Sequence, residues 1–149
     1  MNTRDLLKIF IDFVLTAKVT LKTDYLYHGK NITPIINASL TRDYFQLHSF
    51  QAYLEHAIAK KINGHQPETF LYVFENQAWE NAYLTVFKDT ETKTIGYQSS
   101  GFSFRYLGYF PSRIDAENAL FPDLILTVGE IFTRTLKEFG HYSIPIETF

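Results

Sequence analysis

The chain contains no cysteine, and only one methionine and one tryptophan, among its 149 residues. Without cysteine there is no disulfide framework, no thiolate metal site and no cysteine nucleophile. Glycine is sparse, at seven residues, and neither a G-x-x-x-x-G-K-[ST] nor a G-x-G-x-x-G loop occurs. Both phosphate-cradling loops are thereby excluded, because each needs glycine where the backbone approaches the phosphate. Long apolar runs are also missing. The stretch from Leu6 to Leu15 is interrupted by Lys8 and Asp12, which makes it too short and too charged to span a bilayer or to serve as a secretory h-region. A cytoplasmic location is the expectation.

Aromatic residues are abundant, at 17% of the chain, from 14 Phe, 10 Tyr and the one Trp. Such a supply of rings builds either a thick core or a surface that grips a partner through rigid side chains. Charge is distributed unevenly. Residues 1–66 hold eight basic and five acidic side chains, a balance of +3, whereas residues 67–149 hold six and eleven, a balance of −5. An acidic second half opposes a phosphate-binding footprint and complements a basic protein.

No repeat, low-complexity tract or Gly/Ser linker divides the chain, so residues 1–149 are read as a single domain. Asn2 with Asp5 forms an N-terminal signal, and Leu6, Leu7, Phe10, Phe13, Val14 and Ala17 follow at helical spacing,. This helix carries little polar surface, so residues 6–15 are a candidate homodimer face. Alternation predicts a strand over 19–27 and the turn His28-Gly29-Lys30-Asn31. A second strand, over 32–38, is placed at an edge by Pro34,. Residues 43–62 read as a helix ending at Asn63-Gly64. Next come four expected strands, at 70–74, 82–87, 93–98 and 102–110, then a Ser112/Asp115-capped short helix and a helix running from Pro122 to Phe139,. The fold class expected is α+β: a mostly antiparallel sheet, built as a four-stranded meander plus an N-terminal hairpin, with helices packed on one face.

Chemistry-bearing patterns are few. His48 and His56 stand eight residues apart on one expected helix, about 12 Å apart and too far to share an ion,. No G-x-S-x-G elbow is present, and Ser99-Ser100-Gly101 reads as a turn,. Glu75/Glu80 and Asp89/Glu91 flank turns, where carboxylates are ordinarily solvated rather than poised as an acid/base pair,. Phe102, Phe104 and Tyr106 interleave with Arg105 as in base-stacking strands. A leading cation is missing, and the local charge is unfavourable for nucleic acid,. No catalytic residue, cofactor or metal ligand is assigned.

The remaining signal is the segment Glu75-Asn76-Gln77-Ala78-Trp79-Glu80, in which the only Trp stands between two carboxylates. Trp anchors protein interfaces, and acidic neighbours steer a basic partner towards it. The expected site is therefore a partner-binding surface of Glu75, Trp79, Glu80, Asp89 and Glu91. The expected function is a non-catalytic cytosolic interaction module, of the inhibitor, immunity or chaperone kind, for a basic protein and not for a membrane. The alternative is a small-ligand-binding module or enzyme with an aromatic-lined pocket between sheet and helix, to which Tyr72, Tyr83, Tyr97 and Tyr106 lend hydroxyls.

Overall fold

The computed structural model describes residues 3–16, 23–45, 47–101, 103 and 105–149. It resolves into two compact units, Met1–Ala57 and Ile58–Phe149.

The first unit opens with helix α1 (Thr3–Thr16). Its expected cap, Asn2, and residues 19–22 of the strand expected over 19–27 lie outside the described residues, and the described part of that segment is a strand only at its last two residues. Leu26–Tyr27 (β1) and Lys30–Asn31 (β2) form a short antiparallel hairpin. Its turn residues His28 and Gly29 have φ of 48° and 73°, the left-handed pair that matches strand twist in a two-residue turn. The segment expected as an edge strand is instead helix α2 (Thr33–Tyr44), with Pro34 in its first turn. There the missing N–H costs nothing, because the first amides of a helix have no partner within it. Helix α3 (Leu47–Asn63) follows. Phe13 on α1 is buried, stacked on Tyr44 at 4.9 Å and edge-on to Phe45, Phe50 and Tyr53. The Tyr44 hydroxyl donates to the Phe13 carbonyl at 2.8 Å.

The second unit corrects the expected sheet. Its four strands, β3 (Thr69–Val73), β4 (Lys93–Gln98), β5 (Leu124–Thr127) and β6 (Ile146–Thr148), lie in the order β3-β4-β5-β6. Every pairing is parallel. The antiparallel meander fails because the segment expected as its second strand is helix α4 (Ala78–Phe87). A helix between two neighbouring strands returns the chain to the same end of the sheet, which makes the strands parallel. Residues 82–87 are rich in aromatic and β-branched side chains, yet Trp79, Tyr83 and Phe87 recur at four-residue spacing on one side of α4. Packing overrides the local propensity.

The fourth expected strand is not one either: Leu107–Tyr109 form a single 3-10 turn, and Phe102 and Phe104 lie outside the described residues. Ser112 does cap the short helix α5 (Arg113–Asn118), accepting from the Asp115 N–H at 3.2 Å while Asp115 accepts from Ser112. The long helix expected from Pro122 is split. Its first part is β5, and α6 (Glu130–Phe139) begins only after Val128-Gly129. The expected loose tail supplies β6.

Alternation along these strands sorts their side chains into two faces. One face presents Tyr72, Phe74, Ile125 and Ile146, which pack with Leu84 of α4, Leu136 of α6 and Tyr109 into the core. The other face presents Leu71 and Val73, both exposed, with Tyr97 edge-on to Phe149. Among the described residues no helix is long and apolar enough to cross a membrane.

Candidate functional site

Parallel strands end together. In open α/β sheets this makes the carboxyl edge the place where loop side chains and helix N-termini converge. Here β3 ends in Phe74-Glu75-Asn76-Gln77 before α4, β4 ends in Gln98-Ser99-Ser100, and β5 ends in Thr127-Val128-Gly129 before α6. The positive ends of the α4 and α6 dipoles therefore point to this edge.

Glu80 organises the first of these loops. It is only 2% exposed, and its Oε1 accepts from the N–H groups of Glu75 at 2.9 Å and Gln77 at 2.8 Å. These bonds satisfy amides at the start of α4, a position that favours an acidic side chain. Burial nevertheless dominates and pushes its carboxyl up to about 7, with the nearby Glu75 carboxylate adding to the rise and the backbone donors opposing it. The hydroxyls of Tyr72 and Tyr142 are pushed well above the usual phenol range, and that of Tyr109 up to about 12, in each case chiefly by burial, with the Glu80 carboxylate contributing.

Polar side chains fasten the 3-10 turn onto this end of β3. Asn76 Nδ2 donates to the Gly108 carbonyl at 2.7 Å, and the Tyr109 hydroxyl donates to the Phe74 carbonyl at 3.0 Å. Gln77 Nε2 donates to the Tyr106 hydroxyl, and the Tyr142 hydroxyl donates to the Tyr109 carbonyl at 2.9 Å. Asn76 adopts φ of 54°, a left-handed conformation that Asn tolerates better than most residues,.

Across the sheet, Gln98 is fully buried and stands in register with Thr127. Its Nε2 donates to the Ser100 carbonyl, whereas its Oε1 has no hydrogen-bond partner among the described residues, and neither has the buried Tyr72 hydroxyl. Two such atoms in one core are costly unless something satisfies them. Beside Gln98, a hydroxyl chain links Thr127 to Thr133 at 2.6 Å and Thr133 to Thr148 at 2.8 Å, which joins the ends of β5 and β6 to the first turn of α6.

The residues named from sequence are dispersed. Glu75 is half-buried in the β3–α4 loop, and Glu80 lies beneath it. Trp79 packs edge-on against Tyr72 and Tyr83, at 6.1 Å from each. Asp89 and Glu91 are exposed beyond the far end of α4, about 15 Å along a helix of this length,. Glu91 instead borders a groove of about 540 Å³ with Asn63, Gln66 and Glu68, at the amino end of the sheet. Of the four tyrosines, Tyr72 and Tyr83 belong to the core-side aromatic group, Tyr106 reaches Gln77, and Tyr97 lies on the opposite face of the sheet.

Sequence reasoning missed Asn76, Gln98, Thr127, Thr133 and Thr148. Local sequence carries little signal for them: F-E-N-Q-A-W-E and L-T-V-G-E-I-F share an apolar residue near the strand end and a glutamate in the next helix's first turn, which marks the two helix starts but not Gln98 or Thr148. Comparison with known proteins finds no match, whether to family models, curated proteins or solved structures.

Proposed function

We propose that the protein binds a small polar molecule at the carboxyl edge of its parallel sheet. The observation that carries this reading is the buried Gln98 Oε1, an acceptor without a partner among the described residues at the end of a central strand. A bound hydroxyl or amine would satisfy it, and the Ser100 and Thr127 neighbourhood would supply further polar contacts. Ligands of open parallel sheets gather at this edge because loops from several strands meet there and the amides of helix N-termini face it. This reading is preferred to a docking surface for a basic protein because Trp79 and Glu80 contribute to the interior of the unit and present little surface.

A thermal-shift screen against small polar metabolites, followed by titration calorimetry, tests the proposal. A true ligand raises the melting temperature in proportion to the logarithm of its concentration. Gln98→Leu, which removes the orphan acceptor while keeping volume, is expected to stay folded and to lose the shift. A ligand whose shift survives Gln98→Leu binds elsewhere, and a screen without hits removes the reading altogether.

A further inference from the structure

We propose that the molecule received at the carboxyl edge is a small zwitterion of the free amino-acid class, with its carboxylate on the first amides of α6 and its ammonium on Gln98 Oε1. This inference rests on the reading of that edge as a ligand site and adds the two charges of the ligand. Every residue it uses belongs to the second unit, Ile58–Phe149. Gln98 sets the first requirement. Its Nε2 is committed to the Ser100 carbonyl, beyond the end of β4, which turns the amide towards the loop edge. Its Oε1 has no partner among the described residues. The unused capacity is therefore an acceptor, and only a donor such as an ammonium or a hydroxyl fills it. Gln98 is fully buried, so the ligand enters by displacing the exposed link Ser99-Ser100-Gly101, which the Ser100 carbonyl holds at Gln98.

The second requirement comes from the start of α6. Its N-cap, Gly129, stands two residues past Thr127, the register partner of Gln98. Thr127 Oγ1 ties the strand end to this turn, 3.1 Å from the Gly129 carbonyl oxygen and 2.6 Å from Thr133 Oγ1. The N–H groups of Phe132 and Thr133 both donate to the Gly129 carbonyl, at 3.0 and 3.2 Å. Those of Glu130 and Ile131 lie ahead of any carbonyl that the helix can offer them, and no side chain caps this end,. Two such amides at the positive end of a helix of ten residues suit an anionic group,. There is room for one. A Cβ at Gly129 would meet no atom of the described residues within 4 Å. Charge then selects the class of anion. The loops at this edge carry Glu75 and Glu130 against Arg105. That balance opposes a dianion such as phosphate far more than a molecule whose own ammonium offsets its carboxylate. An acceptor and a pair of donors on neighbouring strand ends thus match the two ends of an amino acid.

Thermal-shift titration of the full chain with each L-amino acid and with γ-aminobutyrate, followed by calorimetry, is expected to yield a ligand whose shift grows with the logarithm of its concentration. The methyl ester and the N-acetyl derivative of that ligand, each lacking one charge, should bind about tenfold or more weakly. Gly129 has φ of 172°, extended backbone that any residue adopts. Gly129→Ala therefore adds a methyl group in open space. It should leave the melting temperature of the protein alone unchanged and weaken binding about tenfold or more, because the methyl takes the place of the carboxylate. Glu130→Pro removes one donor amide at a helix position that tolerates proline, and should weaken binding as well. Glu130→Gln keeps that amide and should bind at least as tightly as the parent. A panel in which no amino acid binds, or a methyl ester that binds as tightly as its parent, would overturn the zwitterion. So would a polar ligand without a carboxylate that is lost with Gln98→Leu but indifferent to Gly129→Ala and Glu130→Pro, and that result would leave the edge reading intact. An amino acid whose shift survives Gln98→Leu would overturn both.

Discussion

Glu80→Gln is expected to flatten the dependence of stability on pH between about 4.5 and 7 and to leave the variant more stable than the parent at pH 8. In the unfolded chain this carboxyl titrates near its ordinary value of 4.5, whereas in the folded chain burial raises it to about 7. Folding therefore favours the protonated acid. The stabilisation is complete below the unfolded value and is lost as pH rises through the folded one. A shift of this size corresponds to about 3 kcal/mol lost across that window. Glutamine keeps a carbonyl oxygen to accept from the Glu75 and Gln77 amides and carries no charge to desolvate, so the variant should hold its loop without the pH cost,.

The groups facing Glu80 make the effect specific. They are the Glu75 carboxylate from its own loop and the hydroxyls of Tyr72, Tyr109 and Tyr142 from β3, the 3-10 turn and the segment before β6. None of the three phenols ionises in this range, so Glu80 accounts for the slope, with Glu75 as the single nearby carboxylate able to modify it. Urea denaturation midpoints measured from pH 4 to 8 on both proteins provide the check. A parent whose stability does not fall over this window, or a variant whose slope matches the parent's, would mean that Glu80 is ionised throughout and that its two amide bonds outweigh burial.

How far the fold could be read depended on whether the deciding signal was local. Ser112 and Asp115 announce their cap within four residues, and both side chains engage as expected. The runs at 70–74 and 93–98 are strands in both readings because their flanking polar turns are unambiguous. Leu124–Thr127 reads as part of a helix because Leu124-Ile125-Leu126 is continuously apolar and lacks the polar alternation that marks a strand, although in the structure its residues alternate between a buried and a half-buried face,. Pro34 has two innocuous homes, an edge strand and a helix start, and the sequence around it does not choose between them. The candidate site was harder still. Gln98, Thr127 and Thr148 are polar residues of no local distinction, and they become neighbours only because three strands run in the same direction. Strand direction follows from which segments between them are helices, so one misread helix, α4, removed the carboxyl edge from view. Glu80 is expected on a partner-facing surface, and the structure buries it instead. Its place in the first turn of α4, which the strand reading hid, is what buries it.

Phe74→Ala is expected to cost about 3–5 kcal/mol, the usual range for emptying a buried phenylalanine site. Phe74 is 1% exposed and its ring meets Tyr109 and Tyr142 at about 6 Å, so the cavity would open in the middle of the core. The neighbouring Gly96→Ala is expected to cost about 1–3 kcal/mol by the opposite route, overpacking. A Cβ at residue 96 would sit 3.0 Å from Phe74 Cβ and 3.2 Å from Cγ, and Cβ is fixed to the backbone, so no rotamer relieves it. Relief requires the end of β3 to move, and the ring locked among Tyr109, Tyr142 and Leu136 prevents that. With the ring removed, the backbone can shift into the vacated space. The double variant should therefore be destabilised by less than the two single costs together, with a coupling of about 1 kcal/mol. Denaturant unfolding of the three proteins measures this directly. Strict additivity would show that β3 does not yield even with an empty site beside it, and the close approach at Gly96 would then be absorbed by β4 instead.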